Sequence, residues 1–397
     1  TCYNNSSDYK HLPMLQVKLS VFYFVYFALL GVMAPYLGLF LESEGFSAAE
    51  IGQLTGLLMA TKVIAPNVWG LIADRTQKRL LLIRLGAFLT LVSYLGFFFA
   101  ESFWYYALMI IAFSFFWNAI LAQFEVITLH NLGADVDRYS LVRVWGSIGF
   151  VVVVIALGYI FEERGVGLFP IALLIIMSGI ALSTCMRFDE PVAQQGHEIS
   201  HSLSEDLKRN RAYLFFVICF LLQFSHAAYY SYFSLYMEQL GYDKLSIGIF
   251  WALGVIAEVA LFFVMHHWHR KHAVPLIMGI ALLFSALRWA MIAGASEYVL
   301  VLVIAQLLHA FSFGAMHAVS IRFVHEHFHA KNQGRAQALY SSLGFGLGGF
   351  VGAFVIAALV EESGYANLFW ISSLIVCFAL FVLSLFWTSF VRDHKVR

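Results

Sequence analysis

Long apolar stretches alternate with short polar interruptions along the chain, at a spacing that a soluble core does not impose. Reading the runs of Leu, Ile, Val, Phe and Ala between charged or Gly/Pro punctuation predicts twelve helices, near residues 15–41, 48–72, 80–100, 102–130, 142–161, 167–186, 213–237, 246–266, 273–294, 297–323, 336–360 and 366–390. Each run has roughly the 20 residues that an α-helix needs to cross about 30 Å of hydrocarbon. The expected fold class is therefore all-α and membrane-embedded, with an even number of spans and both termini on one side.

Composition agrees with that pattern. Of the 397 residues 61% are hydrophobic and only 12% are charged, a balance that excludes a water-soluble domain of this size. The formal net charge is zero, which gives no electrostatic footing for nucleic acid. Cys2, Cys185, Cys219 and Cys377 show no metal spacing and no disulfide framework. No cofactor motif is present, and the absence of a nucleotide-binding motif argues against ATP-driven work. Of the expected partners, a small-molecule substrate, protons and membrane lipid, composition bears only on the lipid; the chain is expected to act as a monomer.

Where the charges sit gives the topology. Arg75, Lys78 and Arg79, then Arg138, then Arg187, Lys208, Arg209 and Arg211, then Arg270 and Lys271, then Lys331 and Arg335 fall in alternate loops. The other loops carry acids, with Arg164 and Lys244 their only bases. The basic loops and both termini are expected to be cytoplasmic, which for a bacterial protein means the inner membrane. The polar stretch 1–13 ahead of Met14 reads as a disordered leader. Residues 14–186 then form a first six-helix bundle, 187–212 a cytoplasmic linker, 213–390 a second six-helix bundle and 391–397 a cytoplasmic tail.

The halves repeat. Tyr36, Glu42, Gly45 and Ile51-Gly52 are answered by Tyr232, Glu238, Gly241 and Ile247-Gly248 at one offset of 196, and Ser147-x-Gly149-Phe150 by Ser342-x-Gly344-Phe345 at an offset of 195. Repeated halves are expected to place a substrate site between them near the middle of the bilayer. Lys62, Glu125, Glu258, Arg288 and Arg322 lie inside predicted spans, where a charge costs at least ~2.5 kcal/mol unless it meets a partner or a polar cavity. Asn118 precedes Glu125 by two helical turns, and Arg143 follows it across a short loop, so a carboxylate and a guanidinium are expected to meet there. In the second half Glu258 shares a helix face with Trp251 and Gly254. His309 and His317 share another with Ser312, Phe313 and Ser320, and His226, Tyr229 and Tyr230 repeat the mixture of polar and aromatic groups. Fixed cations among rings suit a ligand with an aromatic ring and a carboxylate. Glu258 is the group best placed to gain and lose a proton as its surroundings alternate, with His309, His317 and Arg322 assisting.

Three groups of residues resemble known families. Gly70-Leu71-Ile72-Ala73-Asp74-Arg75-Thr76-Gln77-Lys78-Arg79 resembles the loop 2–3 signature of the major facilitator superfamily, which implies that Gly70, Asp74 and Arg75 take part in conformational gating. Asn118, Glu125 and Arg143 with Gly146 and Gly149 are similar to the fourth and fifth helices of the lactose permease family, whose matching acid and arginine bind substrate. Phe150 stands where that family has a sugar-stacking tryptophan. His226–Tyr230, Trp251–Val259, Arg288-Trp289 and the run from Leu308 through His309, Phe313, His317 and Arg322 resemble the bacterial 3-phenylpropionate permease group over nearly the whole chain. That resemblance implies proton-coupled import of an aromatic carboxylate such as 3-phenylpropionate, with these residues lining the cavity. Oligosaccharide or nucleoside symport and drug efflux are the alternatives within transport. His325-Glu326-His327-Phe328-His329 also matches the zinc-protease pattern, but reads as solvated loop histidines rather than a metal site or an intramembrane zinc hydrolase.

Overall fold

The computed structural model describes residues 8–191, 203–208, 212–329, 332–385 and 387. Residues 1–7, parts of the linker (192–202 and 209–211) and the tail 391–397 lie outside the described residues. Eleven helices among the described residues are long and apolar enough to cross a membrane. They are α1 (Asp8–Ser43), α2 (Ala48–Thr76), α3 (Arg79–Leu95), α4 (Phe103–Leu132), α5 (Tyr139–Arg164), α6 (Phe169–Thr184), α7 (Tyr213–Gln239), α8 (Lys244–Lys271), α9 (Val274–Ala295), α10 (Val299–His327) and a final helical stretch, Gln333–Leu385. At 1.5 Å per residue those last 53 residues reach about 80 Å, more than twice the hydrocarbon thickness. Gly364 breaks them with φ +73, so α11 (333–363) and α12 (365–385) are separate spans and the count is twelve. One boundary differs at the start: helix already begins at Asp8, inside the stretch 1–13 read as a disordered leader, because adding turns to an existing helix is cheap compared with nucleating one.

Packing divides the chain into two compact units, Thr1–Met33 with Ala65–Gln195, and Ala34–Ile64 with Gly196–Arg397. Residues 34–64, which the linear reading counts with the first bundle, thus pack with the second unit.

In the first unit α1 meets α4 through rings: Phe22 stacks on Phe124, Tyr26 stacks on Trp117, and the Tyr23 hydroxyl donates to Thr128 Oγ1 at 3.1 Å. The α1–α5 contact is backbone to backbone. A Cβ at Gly31 would lie 2.8 Å from the Phe150 carbonyl oxygen, and one at Gly149 would run into the Phe24 carbonyl. Trp69 of α2 packs with Ala119 and Phe116 of α4, and Tyr94 of α3 donates to the Pro170 carbonyl of α6 at 3.1 Å.

The second unit uses the same devices. A Cβ at Gly348 or Gly352 would lie 2.7 Å from the carbonyl oxygens of Phe220 and Phe224 on α7, so small residues let α11 approach α7 closely. Trp289 of α9 donates to Ser225 of α7 at 3.2 Å, and Ser373 of α12 donates to the Ala286 carbonyl of α9 at 2.8 Å. Within residues 34–64, Ala48 accepts from the Tyr232 hydroxyl at 2.9 Å and Gly52 leaves the space that this hydroxyl fills.

Two π-helical turns, Ala310–Ala315 in α10 and Ser341–Gly348 in α11, interrupt otherwise regular helices. The second sits where the halves repeat. Phe24 and Phe220 are 196 apart, yet their partners Gly149 and Gly348 are 199 apart, as are the left-handed glycines Gly165 and Gly364. The structural counterpart of Gly149 is therefore Gly348, and the sequence match to Gly344 is displaced by four residues at the widened turn.

Candidate functional site

Four ionisable groups of the second unit, His226, Glu258, Arg288 and His309, converge on one region of α7–α10. Glu258 of α8 and His309 of α10 face each other with Oε1 and Nε2 2.9 Å apart, both largely buried. Gly254, one turn before Glu258, makes the room: a Cβ there would lie 3.0 Å from the His309 ring. The π turn begins one residue beyond His309, which shifts the register of Phe313, Met316 and His317 relative to an ideal helix. Such insertions recur at functional sites because they re-aim side chains without ending the helix.

Arg288 of α9 is fully buried. Its guanidinium lies over the Tyr229 ring at 4.2 Å and the Trp289 ring at 4.3 Å, and donates to the Ser312 hydroxyl at 3.4 Å and to Gln306 Oε1 at 3.3 Å. Gln306 Oε1 also accepts from the Tyr229 hydroxyl at 2.9 Å. No carboxylate of the described residues lies within ion-pair distance of Arg288. Arg288 Nε, Gln306 Nε2, His226 Nε2 and His309 Nδ1 are all buried without a hydrogen-bond partner among the described residues. Four orphaned nitrogens in one cluster leave hydrogen-bonding capacity that the protein itself does not use.

Rings enclose this cluster. His226 and Trp289 pack in a T-shape at 4.9 Å, and His226 holds the Leu222 carbonyl through Nδ1 at 2.8 Å. Tyr229 packs on Trp251 at 4.4 Å, and the Trp251 indole donates to Ser234 at 3.0 Å. Tyr230 stacks with His226 and Trp251, and Phe313 with His309 and His317. His317 meets the Tyr340 hydroxyl at 3.3 Å. Arg322 departs from expectation: its guanidinium pairs with Glu326 at 2.6 Å and donates to the His272 carbonyl at 2.9 Å. Thirteen residues beyond His309, it is nearly four turns from Glu258's partner, so the arginine expected to assist Glu258 lies outside the cluster, which holds Arg288 instead.

In the first unit Asn118, Glu125 and Arg143 are half-buried. The direct Glu125–Arg143 ion pair expected across the loop does not form. Glu125 Oε1 accepts instead from the Tyr139 hydroxyl at 3.3 Å, while the Arg143 guanidinium lies over Phe27 at 3.9 Å. A ring face satisfies the cation, and Tyr139, a turn before Arg143, reaches the acid first. At the end of α2 Asp74 pairs with Arg79 at 2.6 Å, Arg79 also reaches Gln123 of α4, and Glu190 caps the start of α3 through the Leu80 N–H at 2.8 Å. A Cβ at Gly70 would come no nearer than 4.0 Å to the Gln123 amide, and Arg75 is exposed.

The zinc-like motif comes apart in three dimensions. The tenth span ends at His327, so His325 and His329 do not share a helical face, Glu326 is held by Arg322, and His327 stacks on Phe323 at 3.9 Å. Among the described residues no three His, Cys, Asp or Glu side chains gather as a metal site.

Twelve apolar spans in repeated halves, with a buried polar cluster and a basic turn after α2, set the frame for comparison. The family model described as "MFS_1 like family" matches residues 16–371. The chain belongs to this family. It is a multi-pass membrane transporter of the major facilitator type, not an enzyme. The chain is 27% identical over 388 residues to the "Probable 3-phenylpropionic acid transporter" of Escherichia coli (strain K12), covering 92% of this chain and 96% of that one. It is 25% identical to the "Maltose permease" of Geobacillus stearothermophilus over 86% of this chain and 87% of that one. Among solved structures it is similar to the nucleoside transporter NupG, with a TM-score of 0.80, 19% identity, and coverage of 94% of this chain and 99% of that one, a likeness of fold.

Gln306 is the participant that the sequence reading passed over. It is a single amide in the apolar run Val299–Leu308, and the signal that could have found it is its spacing of three from His309, which puts both on one face of α10.

Proposed function

We propose that this transporter is a proton-coupled symporter that imports a small organic anion bearing an aromatic ring, 3-phenylpropionate being the representative substrate. It works by alternating access in the bacterial inner membrane, as a monomer with both termini in the cytoplasm. The observation that carries the reading is Arg288. A fully buried guanidinium with no carboxylate of the described residues within ion-pair distance is costly by several kcal/mol, and a ligand carboxylate offsets that cost through charge-assisted hydrogen bonds. Tyr229, Tyr230, Trp251 and Phe313 supply ring faces at stacking distance from the same cluster. The name of the Escherichia coli relative favours an arylpropionate as the representative substrate.

Glu258 carries the coupled proton, and His309 assists. Their contact of 2.9 Å lets one proton be shared or passed, and His317 and Phe313 extend the same stripe of α10. Asn118, Glu125 and Arg143 contribute the substrate contacts of the first half, while Gly70, Asp74 and Arg75 belong to the gating turn.

The test is uptake of labelled 3-phenylpropionate, lactose and uridine into proteoliposomes under an imposed proton gradient. Accumulation of the arylpropionate alone, collapsed by an uncoupler, is expected. Uphill accumulation by Glu258→Gln at the wild-type level would remove Glu258 from the coupling role.

A further inference from the structure

Gln306 is arranged unlike an ordinary core amide. Its carbonyl oxygen accepts from two donors at once, the Tyr229 hydroxyl at 2.9 Å and the Arg288 guanidinium at 3.3 Å, while its Nε2 is buried and donates to nothing. The residue is fully buried, as Arg288 is, and Tyr229 is almost so. A neutral oxygen with two convergent donors, one of them a cation, stands where a carboxylate oxygen would stand in an Arg–carboxylate pair. The contact to Arg288 is long for a charge-assisted bond, so the amide satisfies the cation only weakly. Arg288 Nε keeps an N–H with no acceptor beside it.

We propose that Gln306 is a built-in stand-in for the substrate carboxylate and the residue that makes this subsite select a monoanion. In the resting protein its Oε1 holds Arg288 and Tyr229 in the geometry they need. On binding, a carboxylate takes over the Arg288 and Tyr229 donors, and the displaced amide turns its unused Nε2–H toward the second carboxylate oxygen. The amide oxygen is strong enough an acceptor to keep the pocket ordered, and weak enough to be displaced by a full negative charge. A neutral ligand of the same shape gains little by displacing it. The assignment rests on the anion reading above and adds the residue that sets the preference for charge.

Binding to the purified protein tests it, with 3-phenylpropionate and its uncharged analogue 3-phenylpropanol as probes, alongside thermal unfolding to establish that each variant is folded. Wild type is expected to prefer the acid. Gln306→Glu places a permanent competing carboxylate on Arg288 and is expected to lower affinity for the acid at least tenfold, while affinity for the alcohol stays within about threefold. Gln306→Met keeps the volume and removes the stand-in oxygen. It is expected to lower the unfolding midpoint without ligand and to show a larger stabilisation by the acid than wild type does. Equal acid affinity in wild type and Gln306→Glu would overturn the stand-in role alone, as would loss of acid binding in a folded Gln306→Met, which would make Gln306 an ordinary ligand. Failure of folded wild type to bind either probe would overturn the anion reading itself, and the stand-in with it.

Discussion

Two ring faces and two neutral oxygens surround Arg288, so its role depends on shape as well as charge. Lysine keeps the charge but loses both the fork that grips a carboxylate and the plane that lies on Tyr229 and Trp289. Arg288→Lys is expected to reduce 3-phenylpropionate uptake at least tenfold while the protein still inserts and folds. Wild-type uptake by that variant would show that a point charge suffices. In the first unit the Tyr139 hydroxyl, not Arg143, touches Glu125. Double-mutant cycles on unfolding should therefore give a coupling of ~1 kcal/mol for Glu125→Gln with Tyr139→Phe, and a smaller one for Glu125→Gln with Arg143→Gln. The larger coupling appearing with Arg143 would restore the direct pair. At this scale the sequence shows charge well and partnership poorly. Glu258, His309 and Arg288 stand out because ionisable groups are rare in apolar runs. Gln306 and Tyr139 do not, since a single amide or phenol costs little to place there and only geometry shows what it touches.

Close helix contacts are where single atoms decide whether an element fits. Gly149 and Gly348 bring α5 and α11 against the backbones of α1 and α7, and a Cβ at either position meets a carbonyl oxygen of a neighbouring helix. Backbone cannot move aside as a flexible side chain can, so Gly149→Ala and Gly348→Ala are each expected to cost ~1–3 kcal/mol. Gly167 has nothing within 4 Å of its Cβ position and no positive φ, so alanine there is expected to be within about 0.5 kcal/mol of neutral. Thermal unfolding of the three variants in one detergent checks the contrast, and equal midpoints would mean that the helices separate at no cost. The twelve spans were legible because polar punctuation such as Glu361-Glu362-Ser363-Gly364 marks each break. The π turns at Ala310–Ala315 and Ser341–Gly348 were not, because widening one turn leaves an apolar run equally apolar and changes only which face each later residue takes.

Over the whole molecule, local turns preserve the repeat more faithfully than the long helices do. After α1, Gly45 takes φ +90, with its N–H on the Glu42 carbonyl and the Phe46 N–H on Leu41; after α7, Gly241 takes φ +88, with the same pair of bonds to Glu238 and Met237. A left-handed glycine at the end of a helix is demanded by backbone geometry, so both halves retain it while their surfaces diverge. These turns lie on the acidic side of the chain, where Lys244 is held by Glu238 at 2.7 Å and so adds little free positive charge. The opposite side carries Arg75 and Lys78 beside Arg79, which pairs with Asp74, and the excess of Lys and Arg in the short loops of that side sets the orientation. Exposed Ser102, before α4, is therefore expected on the periplasmic face, and exposed Thr76, at the end of α2, on the cytoplasmic face. In a background with the native cysteines replaced by serine, a membrane-impermeant maleimide should label Ser102→Cys in spheroplasts, which expose the outer face of the inner membrane. Thr76→Cys should react only after permeabilisation. The reverse pattern would overturn the assigned topology and put the basic loops on the periplasmic face, while the direction of coupled uptake would stand, because in a symporter the proton gradient and not the orientation of the chain sets it.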